Sequence, residues 1–319
     1  MRSGRDASNL GSRSANIIRR LIPWRADPTP RPDPGSFRIA GSTPGKILRL
    51  VVFLALAACS AFQNYEASEE PRYSGSFAPS PPLFAGAIKV VSYNIKFGSK
   101  IAQAVSDLTD IPGIADADIL LLQEMDPAGV EEIARRLRDN YVYYPASVQP
   151  ATGKDFGNAV LSRWPIKGSQ KLLLPHARPF RGQRRVAVFA TIAVGKSVVL
   201  AASVHIETIW LGDEKRLDQL KAVIENTPGD ARFVVIGGDL NTLNLESVRA
   251  TERVFRRAGF RAVTEGIGPT VRGEPTGLIA PQSDHIFVRG VMLLEKGKAR
   301  KARASDHYPI WARLRLQSP

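Results

Sequence analysis

The sequence has one cysteine, Cys59, only four histidines, and no uninterrupted apolar run approaching membrane-spanning length. Each scarcity excludes something. A lone cysteine rules out an intrachain disulfide and any metal site built on several thiolates, so a bound metal would have to be held by oxygen or imidazole. The longest apolar segment lies within 47-ILRLVVFLALAA-58, too short for a bilayer core that needs about 20 residues. No internal repeat is detectable, which argues against a solenoid or propeller. Charge of one sign is also less abundant than the formal net of +14 suggests. Of 44 Lys/Arg and 30 Asp/Glu, residues 1–58 hold ten and three, leaving 34 and 27 in the remainder, a surplus of seven. That surplus suits a polyanionic substrate or an acidic membrane surface and does not choose between them.

The 319 residues and 44% apolar content are ample for a sizeable core. The apolar stretch 47–58 has Lys46 and Arg49 at its front and small residues at its end. It resembles the signal sequence of bacterial lipoproteins, in which Leu56-Ala57-Ala58-Cys59 is the lipobox and Cys59 the lipidated first mature residue. An ordinary signal peptide, a short anchor and a buried core segment are the alternatives. On the lipoprotein reading the protein is exported and membrane-anchored through Cys59, on the periplasmic or cell-surface side. Residues 1–45 form a polar, basic, Pro-rich preamble, read either as the product of a start codon placed too early or as a disordered tail. Residues 60–86, rich in Ser and Pro, read as a tether.

From 87 to 319 strand-like runs alternate with amphipathic segments. Strands are expected over 88–93, 119–123, 158–162, 185–194, 197–204, 233–236, 286–289 and 310–316, and helices over 101–111, 129–139, a segment around 217–224, and 245–258. Runs such as 119-ILLL-122 and 233-FVVI-236 have no polar face, so both sides of these strands are covered. The fold class is therefore α/β, with packed sheets flanked by helices.

Strand after strand ends in a polar residue. Asn94 follows 90-VVSY-93, Glu124 follows 119-ILLLQ-123, His205 follows 198-VVLAASV-204, and Asp239 with Asn241 follows 233-FVVIGG-238. Asp284 opens 285-HIFV-288, and Asp306-His307 precedes 308-YPIWARL-314. Asn, Asp and Gly are ordinary turn residues, but turn chemistry gives no reason for Glu124, His205 and His307 to stand at equivalent places. Strand ends of packed sheets converge on one crevice. Crowded carboxylates and amides without thiolate make a hard-oxygen site suited to Mg²⁺, with Mn²⁺ possible. Histidines beside it suit proton transfer or charge stabilisation on a phosphoryl group. Gly237 and Gly238 are expected to allow a sharp turn, with Asp239 and Asn241 facing one side.

The stretches 90-VVSYNIKFG-98, 121-LLQEMD-126, 157-GNAVLSRWPI-166, 235-VIGGDLNT-242, 284-DHIFVRG-290 and 305-SDHYPI-310 resemble, in order and spacing, the endonuclease/exonuclease/phosphatase superfamily. That group includes deoxyribonuclease I, abasic-site endonucleases, bacterial sphingomyelinases and inositol-polyphosphate phosphatases. The resemblance spans about 87–319 and implies two packed mixed sheets in a four-layer α/β sandwich. It implies Glu124 as principal metal ligand, with Asn94 and Asp306 close to the ion or its waters. Asp239 would orient or deprotonate the attacking water, with Asn241 as its partner at the phosphate. His307 would contact the phosphate, Asp284 would hold His307, and His205 would be the second histidine of deoxyribonuclease-like members. Arg184 stands where the family places a phosphate-contacting arginine, with Arg185 its rival, and Asn158 where the family lines the cleft.

The expected activity is metal-dependent phosphodiester hydrolysis by a monomer, with DNA or RNA as first substrate, a lipid headgroup second and a small phosphomonoester third. A binding module that has lost catalysis is the reading from another class. The basic run Lys296, Lys298, Arg300, Lys301, Arg303 reads as a solvated hairpin, with steering of a polyanion as the alternative. His176 is expected to be exposed in a loop. Trp210 is the only exposed aromatic candidate near His205.

Overall fold

The computed structural model describes residues 63–272 and 282–316. The preamble, the 47–58 stretch and Cys59 lie outside the described residues. No helix among the described residues is long and apolar enough to cross a membrane.

Thirteen described strands form two sheets. The first sheet contains β1 (Tyr73–Ser76), β2 (Ala87–Asn94), β3 (Ile119–Met125), β4 (Asn140–Gln149), β5 (Lys154–Ser162), β12 (Val291–Lys298) and β13 (Ile310–Leu316), in the order β1-β4-β5-β3-β2-β13-β12. The second contains β6 (Ile166–Leu173), β7 (Val186–Val194), β8 (Ser197–His205), β9 (Phe233–Asp239), β10 (Arg261–Ala262) and β11 (Asp284–Arg289), in the order β10-β11-β9-β8-β7-β6. Each is mixed, because each holds one parallel pair, β2 with β3 and β8 with β9. A parallel pair needs a crossover. Helix α1 (Ile101–Asp110) makes the first and α3 (Asp213–Glu225) the second.

The apolar runs follow from this layering. Successive side chains of a strand point to opposite faces. In β3, Ile119 and Leu121 enter the core between the sheets, while Leu120 and Leu122 meet the outer layer with Val105, Leu108, Val130 and Ile133 of α1 and α2 (Pro127–Leu137). In β9, Phe233 and Val235 face inward, and Val234 and Ile236 pack under α3 and α4 (Leu245–Arg257). Both faces of these strands are dry, so neither carries a polar stripe. The expected four-layer sandwich of two mixed sheets flanked by helices is the fold observed.

Three features differ from the sequence reading. Strand β4 is not among the strands expected from the sequence; it contains Pro145, which the chain accommodates at a register shift between Pro145 and Ser147. Strand β6 is an edge strand with a weak pattern, IKGSQKLL. The segment read as a tether carries β1, which pairs with β4. It is also held by Lys171, whose ammonium donates to the carbonyls of Tyr65, Ala67 and Glu70. The basic run 296–303 forms the end of β12 and the connection to β13, as a hairpin.

Candidate active site

The parallel pairs fix where the polar strand ends meet. In register, Asn94 lies beside Gln123, and His205 lies beside Asp239, which lies beside Asp284 on the antiparallel β11. Ile310 pairs with Ser92, so Asp306 and His307, just ahead of β13, sit at the same end. Sheet pairing alone therefore gathers these residues at one mouth of the sandwich. Beneath them the inter-sheet core turns polar. Gln123 Nε2 donates to Ser203 Oγ at 2.9 Å, and Asn158 Nδ2 donates to the carbonyls of Val186 and Ser203. Asn158 thus ties the two sheets together directly below the cleft.

Glu124 departs from strand alternation. A register shift falls between Leu122 and Met125, and Glu124 takes φ 58°, a left-handed conformation that re-aims its side chain into the mouth. Asn241 takes φ 46°, and its backbone N–H donates to Asp239 Oδ1 at 2.9 Å while its side-chain amide donates to the Ile206 carbonyl. Gly238 has a different role from the turn expected of it. It lies within β9, and a Cβ there would sit 1.8 Å from the Val204 carbonyl oxygen, so glycine permits β8 and β9 to approach.

Asn94 connects the two halves. Its Nδ2 donates to Glu124 Oε1 at 3.2 Å and to Asp239 Oδ2 at 3.0 Å, and its Oδ1 accepts from Lys96 N. It therefore offers the carboxylates its NH₂ group. His307 Nδ1 donates to Asp284 Oδ2 at 2.9 Å and points Nε2 at Asp239 Oδ2, 3.7 Å away. His205 Nε2 lies 3.5 Å from Asp239 Oδ2 and 3.9 Å from Glu124 Oε1.

Electrostatics divide these groups. Burial, with Asp284 and Glu124 nearby, lifts Asp239 to about 6 against the pull of His307. Burial opposes the charging of His307, but Asp284, Asp239 and Glu124 outweigh it and push the imidazole up to about 10. Burial, Arg185 and His307 hold His205 well below the ordinary range, so it is a neutral ring. The cleft thus contains one cationic and one neutral histidine around the same carboxylate.

The arginine assignment needs correction. Arg184 is turned away: its Nη2 donates to the Leu174 carbonyl and its Nη1 lies 3.7 Å from Glu66. Neighbouring residues of an extended chain face opposite ways, and Arg185 is the one that faces the cleft. Its Nη1 lies 3.3 Å from His205, its guanidinium pairs with Glu207 through two hydrogen bonds of 3.0 and 3.2 Å, and it covers the Phe156 ring. Glu207 escaped the sequence reading although it lies two residues from His205. So did Lys96, whose Nζ is 2.7 Å from Asp306 Oδ2. That contact holds Asp306 below its usual range although burial acts in the opposite direction. His176 is exposed and pairs with Asp218. Trp210 is exposed and is not the only such aromatic, since Phe97 and Phe180 are exposed at the same end.

The donor set fits a hard divalent cation. Ligand atoms of Glu124, His205 and Asp239 lie within 4.8 Å of one another, as do those of Asp239, Asp284 and His307, and thiolates are absent from both groups. The fold and site define an α/β sandwich with an acidic, histidine-bearing cleft able to hold a divalent cation. Residues 91–307 match the Endonuclease/Exonuclease/phosphatase family, and the chain belongs to it. Members are metal-dependent hydrolases acting on phosphate esters. A UPF0294 protein of Vibrio cholerae serotype O1 is 25% identical over 235 residues, 72% of this chain and 79% of its own. The sandwich is also similar to D. rerio TDP2 complexed with a single-strand DNA product (TM-score 0.54, 18% identity, 72% of this chain and 98% of that one). A mannosyl-6-phosphatase of Bacteroides thetaiotaomicron is comparably similar (TM-score 0.54, 19% identity, 71% and 99%).

Proposed function

We propose that the protein is a magnesium-dependent phosphodiesterase. The observation that carries this reading is the charge balance of the cleft. Glu124, Glu207, Asp239, Asp284 and Asp306 are opposed by Lys96, Arg185 and the imidazolium of His307, and Lys96 and Arg185 are already paired with Asp306 and Glu207. The buried Arg216, which also acts on Asp239 and Glu207, is balanced by Asp213 at 3.0 Å. One divalent cation brings that count to neutrality. A phosphodiester adds a single negative charge to such a site, whereas a phosphomonoester adds about two.

Glu124 would hold the ion beside Asp239, with Asp306 completing an oxygen-rich set once Lys96 releases it. Bound there, Mg²⁺ supplies Lewis-acid polarisation of a phosphoryl oxygen. Asp239, fixed by Asn94 and Asn241, accepts the proton of the attacking water. His307, held by Asp284, donates from Nε2 to a phosphoryl oxygen as negative charge builds. Neutral His205 donates or accepts at the opposite side of Asp239.

DNA or RNA is the first substrate class. Arg272 stacks over Tyr308 at 4.3 Å beside the Asp306–His307 loop, and Lys298 lies on the same ring's side, a basic and aromatic flank suited to a strand. A lipid-headgroup diester is the second reading, favoured by apolar side chains exposed around the mouth. The test pairs bis(p-nitrophenyl) phosphate with p-nitrophenyl phosphate, and supercoiled plasmid with diester phospholipid, in Mg²⁺, in chelator, and with Asp239→Asn. Chelator-sensitive cleavage of diesters, lost in the variant, is expected. Cleavage of the monoester alone would overturn the reading.

A further inference from the structure

The first described residues are fastened at the cleft end of the sandwich. Val148 N donates to the Gln63 carbonyl at 2.8 Å, Tyr65 N donates to the Ala146 carbonyl, and Asn64 pairs with Ser147. The Asn64 side chain is engaged twice more: its Nδ2 donates to the Gly182 carbonyl at 2.8 Å, and its Oδ1 accepts from Arg184 N at 3.0 Å. These partners adjoin the site. Arg184 precedes Arg185, which touches His205, and Ser147 pairs in register with Phe156, whose ring lies 5.9 Å from the His205 ring.

The sequence immediately upstream is the apolar stretch 47–58. Four residue steps separate Cys59 from Gln63, and a fully extended chain covers about 14 Å in that distance. The chain upstream of Gln63 therefore joins the sandwich at the cleft mouth rather than at the far end.

The same end carries the exposed apolar surface. Ten large apolar side chains are exposed among the described residues, and six of them, Phe97, Phe180, Ile209, Trp210, Leu243 and Leu245, stand on the loops at the cleft ends of β2, β7, β8 and β9 or, for Leu245, on the first turn of α4. Phe180 is the extreme case. It is fully exposed, at 108%, on a tight turn closed by Gly182 N to the Arg178 carbonyl, and it holds φ 63°. A bulky side chain in the left-handed region with no packing partner has no folding rationale. Trp210, 67% exposed, projects from the turn after Glu207. Arg178 and Arg181 flank Phe180, and Lys96 and Lys100 flank Phe97. Apolar tips with basic neighbours are the chemistry of a protein resting in the headgroup region of an anionic bilayer.

We infer that the cleft-end loops form a bilayer-docking surface, seated by Phe180, Trp210 and Phe97 on an anionic phospholipid surface. Docking turns the cleft mouth toward the headgroups. It goes beyond phosphodiester hydrolysis and does not depend on it.

Cys59 is the only thiol, so the full chain carrying Cys59→Ser accepts one labelled cysteine at a chosen place. An environment-sensitive fluorophore is attached at Phe180→Cys, at Trp210→Cys, or at Val198→Cys, an exposed residue at the opposite end of β8. Each chain is reconstituted in phosphatidylethanolamine/phosphatidylglycerol vesicles containing spin-labelled lipid. Labels at 180 and 210 are expected to shift to the blue and lose at least half their emission to the lipid quencher, while the label at 198 does not respond. Equal quenching at all three positions, or none at 180 and 210, overturns the proposal. A response at 180 and 210 to a single-stranded oligonucleotide but not to vesicles overturns it too, and assigns the rim to nucleic acid. Diester turnover by unlabelled protein is scored separately, so loss of docking and loss of the hydrolase reading are distinguishable.

Discussion

The side chain of Asn94 spans the two sheets: from the end of β2 it donates to Asp239 Oδ2, at the end of β9, at 3.0 Å, and to Glu124 Oε1 at 3.2 Å. One amide thereby spaces two carboxylates that would otherwise repel. Asn94→Ala leaves a buried Asp239 oxygen without its donor, at a cost of about 1–3 kcal/mol. It also frees both acids to move. A drop in kcat of about 10²-fold is expected, since misplaced catalytic groups are costly. Steady-state kinetics with a chromogenic diester, alongside urea melts, check this, and an unchanged kcat would remove Asn94 from the site's architecture.

The metal-free cleft carries excess negative charge, and burial together with Asp284 and Glu124 already raises Asp239 to about 6. A group raised in the folded state contributes stability below its unfolded pKa and loses it as pH rises through the folded value. Metal-free protein therefore pays for ionising Asp239 above pH 6, and a divalent cation relieves that cost. At 100-fold excess over Kd the gain is about 2.7 kcal/mol, which for a domain of this size raises Tm by roughly 5–10 °C. The gain should shrink as pH falls below 6, where protons compete for Asp239. Glu124→Gln should reduce it at every pH. Thermal melts with Mg²⁺ and with chelator at pH 5 and pH 8 decide; equal gains at both pH values would contradict the assignment.

How much of this was legible beforehand depended on what each residue's neighbours in sequence revealed. The strands with two dry faces, β3 and β9, announced the layered fold, because a short apolar run without a polar stripe belongs to a strand covered on both sides. Asn94, Glu124, His205, Asp239, Asp284 and His307 were legible as polar punctuation at apolar strand ends. Arg185 and Glu207 were harder. Each is a charged residue whose burial depends on the other, and nothing in a one-dimensional sequence states that residues 22 apart are paired. Lys96 hid for a similar reason, since its partner Asp306 arrives from the start of the last strand. Strand β4 was not legible, since it contains a proline and the bulge that tolerates Pro145 is a tertiary feature.

Glu207 is fully buried and neutralises Arg185, and the lowering of its carboxyl by Arg185 outweighs the effect of burial. Glu207→Gln leaves a buried guanidinium without a counter-charge and should destabilise the chain by about 3–5 kcal/mol. Replacing both partners with apolar residues, Arg185→Met with Glu207→Leu, removes the stranded charge. The double variant is expected to be more stable than Glu207→Gln yet no more active, because His205 and Phe156 lose the cation beside them. Urea denaturation of the three proteins checks the order, and a double variant less stable than the single one would show that the pair contributes net stability.

His285 follows Asp284 on β11 but is directed into the interior, where Thr242 Oγ1 meets its Nε2 at 2.8 Å and Gln282 Nε2 lies 3.3 Å from its Nδ1. Burial pushes its pKa down to about 4, only partly offset by Asp284. In the unfolded chain an imidazole titrates near 6.5. The unfolded state therefore binds the extra proton between pH 6.5 and 4, and the stability contributed by neutral His285 is complete above 6.5 and declines as pH falls through that window. The slope approaches 1.4 kcal/mol per pH unit for one such group. His285→Gln keeps a polar side chain between Thr242 and Gln282 but does not titrate. Comparing the two proteins cancels the opposing contribution of Asp239, which gains stability on protonation in the same range. Wild type should be the more stable at pH 7, and its advantage should shrink by about 2–3 kcal/mol by pH 4.5. A constant difference across that range in urea melts would mean that His285 is protonated in the folded chain, and that the Thr242–His285 contact does not hold the Asp239–Asn241 loop against β11 through a neutral ring.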